Sequence, residues 1–253
     1  MQKLSIYLPL FLLLFAAACD PKEDRIEPEA PIAVSALKFT VTQTPGYDNE
    51  ITMESFTPGV IPFWDYGFGI SSETKATTII PFAGEFVIKY YAYSKGGPVV
   101  DSTTVQVSAN DPNYFSDPMW NLLTNDIAGK TWVWAPDNPH QCMTGGGNFD
   151  DVGPGWWKDA LDMNAINDKM TFDLNGSYNF SLITPSKTAP GKFKLDVERK
   201  KLTIIGSDIS KGQNWEYDII TLNENELVLA ATHIESWGGF RNFYFFKREG
   251  FNY

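Results

Sequence analysis

Residues 170–182, MTFDLNGSYNFSL, hold two runs of strict alternation that meet at Asn175-Gly176. Met170, Phe172 and Leu174 fall on one face of the first run, and Tyr178, Phe180 and Leu182 on one face of the second. A period of two belongs to a half-buried strand. Asn-Gly between two such runs favours a tight hairpin, because both central residues of the turn take positive φ. The same pattern recurs at 130–134, 191–197, 201–205, 215–222, 226–231 and 241–247. These runs predict about eight antiparallel strands over 128–253, a number that suits a closed up-and-down barrel.

The preceding part is also β-rich. In LKFTVTQ (37–43), Leu37, Phe39 and Val41 share a face, and Thr44-Pro45-Gly46 ends the run. Further runs are divided by Thr57-Pro58-Gly59, by Pro81-Phe82-Ala83-Gly84 and by Lys95-Gly96-Gly97-Pro98. Short strands at this spacing predict a β-sandwich over 33–109. A linker, 110–127, carries two Asp-Pro steps. Asp117 suits an N-cap and Pro118 the first helical position. The expected short helix carries Trp120, Leu123 and Ile127 on one face, packing on or plugging the second domain. The chain is therefore expected to be all-β, with the two β domains joined by this segment.

Family likenesses rest on specific residues. Phe63-Trp64-Asp65-Tyr66-Gly67-Phe68-Gly69, Phe82-Ala83-Gly84-Glu85-Phe86-Val87 and Thr104-Val105-Gln106-Val107 resemble the signature stretches of PKD-type immunoglobulin-like domains. Phe68 stands where that family has a second Asp, and Ala83 where it has Pro. The resemblance implies a spacer or presentation module, with Trp64 in its core. In the second domain, Gly129 to Trp132, Phe172 to Tyr178, Gly191-Lys192-Phe193, Lys201 to Ile204, Tyr217 to Leu229 and Tyr244 to Arg248 follow one another. That order resembles the lipocalin-like domains of Bacteroidetes lipoproteins. Against that pattern, residues 135–168 are an insertion, and 232–240 lengthen another loop.

Residues 1–18 have the form of a signal peptide. Lys3 precedes an apolar run, 6–15, and Ala16-Ala17-Ala18 precedes Cys19. The apolar run is shorter than the roughly 20 residues of a spanning helix. Cys at that place resembles a bacterial lipoprotein signal, although Ala16 stands where Leu is usual. The resemblance implies lipidation of Cys19. Residues 19–32 are then an acidic, Pro-containing tether. An acidic run after the acylated Cys resembles a surface-export signal, which implies an outer-membrane protein exposed on the cell surface; a periplasmic spacer is the other reading. With Cys19 acylated, Cys142 has no intramolecular partner. Without the signal peptide the chain has 19 basic and 31 acidic residues and no basic cluster, which argues against nucleic acid.

Residues 132–157 carry four of the eight Trp, a Gly triplet and Asp150-Asp151, without a strand or helix period in their middle. Ordered loops of such length are functional more often than not. Trp132, in strand register, is expected in the core. Trp134, Trp156, Trp157 and Trp237 are candidate platforms for a sugar ring, with His140, Asn148, Asp150 and Arg241 supplying hydrogen bonds. One Trp face would bury ~50 Å², about 1.3 kcal/mol, while even a millimolar complex needs about 4.1 kcal/mol. One ring cannot suffice, so Trp237, from the 232–240 loop, and Arg241, directly after it, are expected to complete a site begun by Trp156-Trp157.

Asp150, Asp151, Asp159 and Asp162 supply oxygens that suit Ca²⁺, without EF-hand spacing; no other cofactor is expected. His140 and Cys142 are too few for zinc. No E-x-D-x-x-E, G-x-S-x-G or H-E-x-x-H motif is present, and His140 and His233 are the only His. The expectation is a non-enzymatic, surface-anchored binder of oligo- or polysaccharide that serves an outer-membrane import complex. A barrel holding a small apolar ligand, and a structural or partner-binding component, are the alternatives.

Overall fold

The computed structural model describes residues 29–159, 165–206, 216–236 and 238–253. Residues 1–18, Cys19, the tether up to residue 28, Asp162 and Trp237 lie outside them.

The N-terminal sandwich has two antiparallel sheets. One contains β1 (Phe39–Thr44), β2 (Tyr47–Ser55) and β5 (Lys75–Ile79), in the order β1-β2-β5. The other contains β3 (Ile61–Asp65), β4 (Ile70–Ser71), β6 (Gly84–Ser94) and β7 (Gly97–Val107), in the order β4-β3-β6-β7. Alternation drives the packing: in β2, Asn49, Ile51, Met53 and Ser55 are buried while the residues between them are not. Trp64 is fully buried among Ile51, Met53, Ile88 and Tyr90. Its indole N–H donates to the Glu73 carbonyl at 3.0 Å, the partner that a buried Trp requires.

The second unit is a closed barrel. Its eight strands are β8 (Lys130–Trp134), β11 (Lys169–Asp173), β12 (Asn179–Ile183), β13 (Thr188–Asp196), β14 (Lys201–Ile205), β15 (Glu216–Leu222), β16 (Glu226–His233) and β17 (Phe240–Arg248). Each pairs antiparallel with the next, and β17 closes the ring on β8 through Phe246↔Trp134 and Arg248↔Trp132. Trp132, Trp134, Phe172, Phe180, Phe193 and Tyr217, with aliphatic neighbours, fill the interior. Among the described residues these side chains pack together as one core inside the barrel.

One end is stoppered by the linker. Helix α1 (Pro118–Thr124) starts at Asp117, whose side chain accepts from the Met119 N–H at 2.8 Å. Trp120 and Leu123 are buried in the barrel core, and the Trp132 indole donates to the Leu123 carbonyl at 3.0 Å. Ile127, expected on the same face, is instead 41% exposed. The helix ends at Asn125 in the left-handed conformation, φ 52°, so the helical register is lost before residue 127.

The insertion contains regular structure that alternation could not reveal. After Trp134 the chain loops out and returns as β9 (Thr144–Asn148), pairing with the first half of β17, and then as β10 (Trp157–Asp159) beside β9. Residue Phe245 is the switch point. Its carbonyl accepts from Ala135 N and its N–H donates to the Met143 carbonyl, both at 3.0 Å. Between these two contacts, Asn138 ties the excursion shut, donating from Nδ2 to the carbonyls of Ala135 (2.6 Å) and Cys142 (2.5 Å). The loop covers a second small core on the outer wall, with Cys142, Val228, Ala230, Phe243 and Phe245.

Candidate functional site

The site is built on three glycines. Gly146 of β9 faces Trp157 of β10 on one side and Asn242 of β17 on the other. Directly opposed residues share a face of a sheet, so Trp157, Gly146 and Asn242 form one row. A Cβ on Gly146 would sit 2.0 Å from Trp157 Nε1 and 2.6 Å from Cε2: the indole occupies the place where a side chain would otherwise stand. Gly145 and Gly147 serve the opposite face. A Cβ there would meet Pro154 at 2.5 Å and the Asp151 carboxylate at 2.7 Å, respectively. The triplet lets segment 149–155 fold onto one side of β9 and Trp157 onto the other.

On the Trp157 side the rings continue. Phe240 stacks on His233, centroids 4.4 Å apart with an interplanar angle of 11°. Trp156, whose N–H donates to the Gly146 carbonyl at 2.8 Å, lies 6.5 Å from Phe240. Trp156 and Trp157 are 48% and 46% exposed. These residues lie at the barrel end remote from α1, on the extension of the sheet beyond the closed ring.

Arg241 is on the other face. It opposes Gly147, one residue along from Gly146. Its guanidinium donates to the Asp151 carbonyl at 2.9 Å and to Thr232 Oγ1 at 3.2 Å, and it pairs with Asp218 at 3.5 Å. It also lies over the Phe149 ring at 5.7 Å. Burial disfavours the Asp218 charge, but hydrogen bonds from Lys201, at 2.6 Å, and from Thr232, with the charges of Lys201 and Arg241, hold its carboxyl below the usual range. Arg241 is therefore a brace between the barrel wall and segment 149–155, not a partner of the Trp pair on the same surface.

The other expected residues are dispersed. Trp134 is a correction: it is 6% exposed and packs against Phe246 with centroids 4.4 Å apart, inside the barrel. Its strand register gives it the same inward face as Trp132, which removes it from any surface platform. His140 lies on the outer wall beside Phe245, in a depression of about 110 Å³ that Val152, Glu226 and Tyr253 also line. Asn148 and Asp151 hold each other, the Asp151 carboxylate accepting from Asn148 N at 2.6 Å and from Nδ2 at 3.1 Å. Asp150 is exposed beside them, at the tip. Among the described residues no cluster of three or more His, Cys, Asp or Glu is placed to hold a metal ion. Cys142 is a buried free thiol, its pKa pushed up by burial.

Phe240, His233 and Asn242 were not singled out from the sequence. For Phe240 and Asn242 the signal was the alternation through 241–247, which extended back puts Phe240, Asn242 and Tyr244 on one face; only the pairing with β9 and β10 brings Trp157 to it.

No family model matches the chain, and no curated protein matches it by sequence. Among solved structures it is distantly similar to the PKD1 domain of Vibrio anguillarum Epp. That match has 20% identity and TM-score 0.27, and covers 33% of this chain and 99% of that one. It is also distantly similar to a structure from work on the promiscuous specificity of carbohydrate-binding modules of the β-sandwich superfamily. There the identity is 10% and the TM-score 0.25, over 88% of this chain and 92% of that one. Similarities this distant do not decide what the chain binds.

Proposed function

We propose that the chain binds a glycan without chemically altering it, through Trp156, Trp157 and the Phe240–His233 stack. The observation that carries this reading is the Trp157 indole seated over Gly146, with Trp156 half exposed beside it. Such an arrangement fixes a ring face in advance, so little conformational entropy is lost on binding. Two half-exposed indole faces at about 1.3 kcal/mol each give about 2.6 kcal/mol, and the Phe240–His233 stack with polar contacts must supply the rest of the roughly 4.1 kcal/mol of a millimolar complex. The Asn242 amide, on the same face, supplies polar contacts in addition. The expected affinity is accordingly modest and suited to repeated units of a polysaccharide.

Cys19 would be acylated and hold the chain in the outer membrane, facing outwards. The sandwich would act as a spacer, and the bound glycan would pass to an import complex. The aromatic face lies at the barrel end away from the sandwich, the arrangement such a spacer serves. The distant likeness to carbohydrate-binding modules agrees with this reading without adding weight to it. Among the described residues, the bulky side chains packed in the interior disfavour a small apolar ligand inside the barrel.

The test is calorimetry and affinity electrophoresis of residues 20–253 against plant, host and microbial glycans. Binding to at least one polysaccharide is expected. Failure across a broad panel would rule the reading out.

A further inference from the structure

The outer face of the β4-β3-β6-β7 sheet is apolar at one end and charged in the middle. Directly opposed residues make its rows. Ile61, Tyr93 and Pro98 form the row nearest the β6–β7 hairpin, and Phe63, Tyr91 and Val100 the next. Asp65, Lys89 and Ser102 make the third row and end the block. Ile61, Tyr93 and Val100 are 67%, 43% and 47% exposed. Phe63 meets Tyr91 and Tyr93 edge-on at 5.8 and 6.2 Å, so the rings form one ordered surface rather than scattered side chains. Contiguous apolar patches on a folded surface mark places of contact.

The path of the chain indicates what that contact is. Glu29 and Ala30 run against the same hairpin. A Cβ on Gly96 would lie 2.3 Å from the Ala30 carbonyl oxygen, and Lys95 pairs with Glu29 at 3.6 Å. Cys19 is ten residues before Glu29, a reach of at most about 35 Å even fully extended. An anchor at Cys19 would thus hold the hairpin end of the sandwich close to the lipid surface, with the apolar rows beside it. Tyrosines with apolar neighbours suit the headgroup boundary, where the ring is buried and the hydroxyl stays wet. The Lys95 and Lys89 side chains flank the block and suit lipid phosphates.

The geometry points to a lipid surface as the occupant of this face: Ile61, Phe63, Tyr91, Tyr93, Pro98 and Val100 rest on the membrane that carries the anchor. This inference rests on the reading of Cys19 as the point of attachment. Docking would give the molecule a fixed orientation, with the barrel end that bears Trp156 and Trp157 directed away from the sandwich.

The test removes the acyl chain from the question. Residues 20–253, with an N-terminal histidine tag, are held on nickel-chelating vesicles of phosphatidylethanolamine and phosphatidylglycerol. A polarity-sensitive dye is placed at V100C, or at T77C on the exposed face of the other sheet. Cys142 is fully buried and does not compete for the label. Nitroxide lipids should quench the dye at 100 and not at 77, and Tyr93→Glu should abolish the quenching. Equal quenching at both positions, or none at either, overturns the inference. So does a dimer in vesicle-free solution that Tyr93→Glu dissolves, since the occupant would then be a second copy. Mass spectrometry of the native protein tests acylation of Cys19 separately, so the two failures are distinguishable.

Discussion

Gly146 is the residue on which the aromatic face depends. Gly146→Ala places a methyl group into the Trp157 ring. Overpacking of this kind costs about 1–3 kcal/mol, and the ring must lift away. The expected result is a folded protein with weakened glycan binding, read by circular dichroism and calorimetry together. Asn138 plays the corresponding part on the outer wall. It is 2% exposed and serves two carbonyls. Asn138→Ala leaves both without that donor, a loss of about 1–3 kcal/mol measurable as a lower denaturation midpoint. Neither role was legible in the sequence. Glycines show no alternation, and a lone Asn between two prolines is an ordinary loop residue until its partners are known. Trp132, by contrast, was legible as core from its strand register, and Trp64 from the resemblance to PKD-type domains.

At the scale of elements, the barrel strands followed from period-two alternation, and α1 from Asp117-Pro118. The arrangement of β9 and β10 did not. Arg241 and Trp157 were expected together because both belong to loops around one rim, yet the β9–β17 register puts them on opposite faces of the same sheet. A register shift of one residue would reverse this, and nothing in the local sequence reports it. The brace around Arg241 has its own consequence. The folded-state pKa of Asp218 is depressed, so its contribution to stability is present above the unfolded value of about 4 and is lost as pH falls through the lower folded value. Thermal melts followed by tryptophan fluorescence should therefore lose stability through that acid window. Asp218→Asn should lower stability at neutral pH and flatten the response. An unchanged acid limb in the variant would show that the brace does not couple to stability.

For the whole molecule, the joint matters as much as the two units. Phe82 comes from the sandwich but is fully buried in the barrel's core cluster, against Phe115 and Tyr178 at 5.4 and 4.8 Å. Asn110 adds hydrogen bonds to the Ala83 N–H and to the Leu174 carbonyl. Phe82→Ala should cost about 3–5 kcal/mol and separate the calorimetric transition of the sandwich from that of the barrel; a single unshifted transition would show that the joint is passive. The central claim is that the aromatic face binds glycan, and it is tested most directly by titrating a polysaccharide bound by residues 20–253 into the Trp156→Ala/Trp157→Ala variant, with Asp150→Ala as a control on the outer side. The account predicts that the double variant loses about 30- to 150-fold in affinity, as removal of some 2–3 kcal/mol requires, while Asp150→Ala binds as before. Unchanged binding in the double variant, with its fold intact, would contradict it.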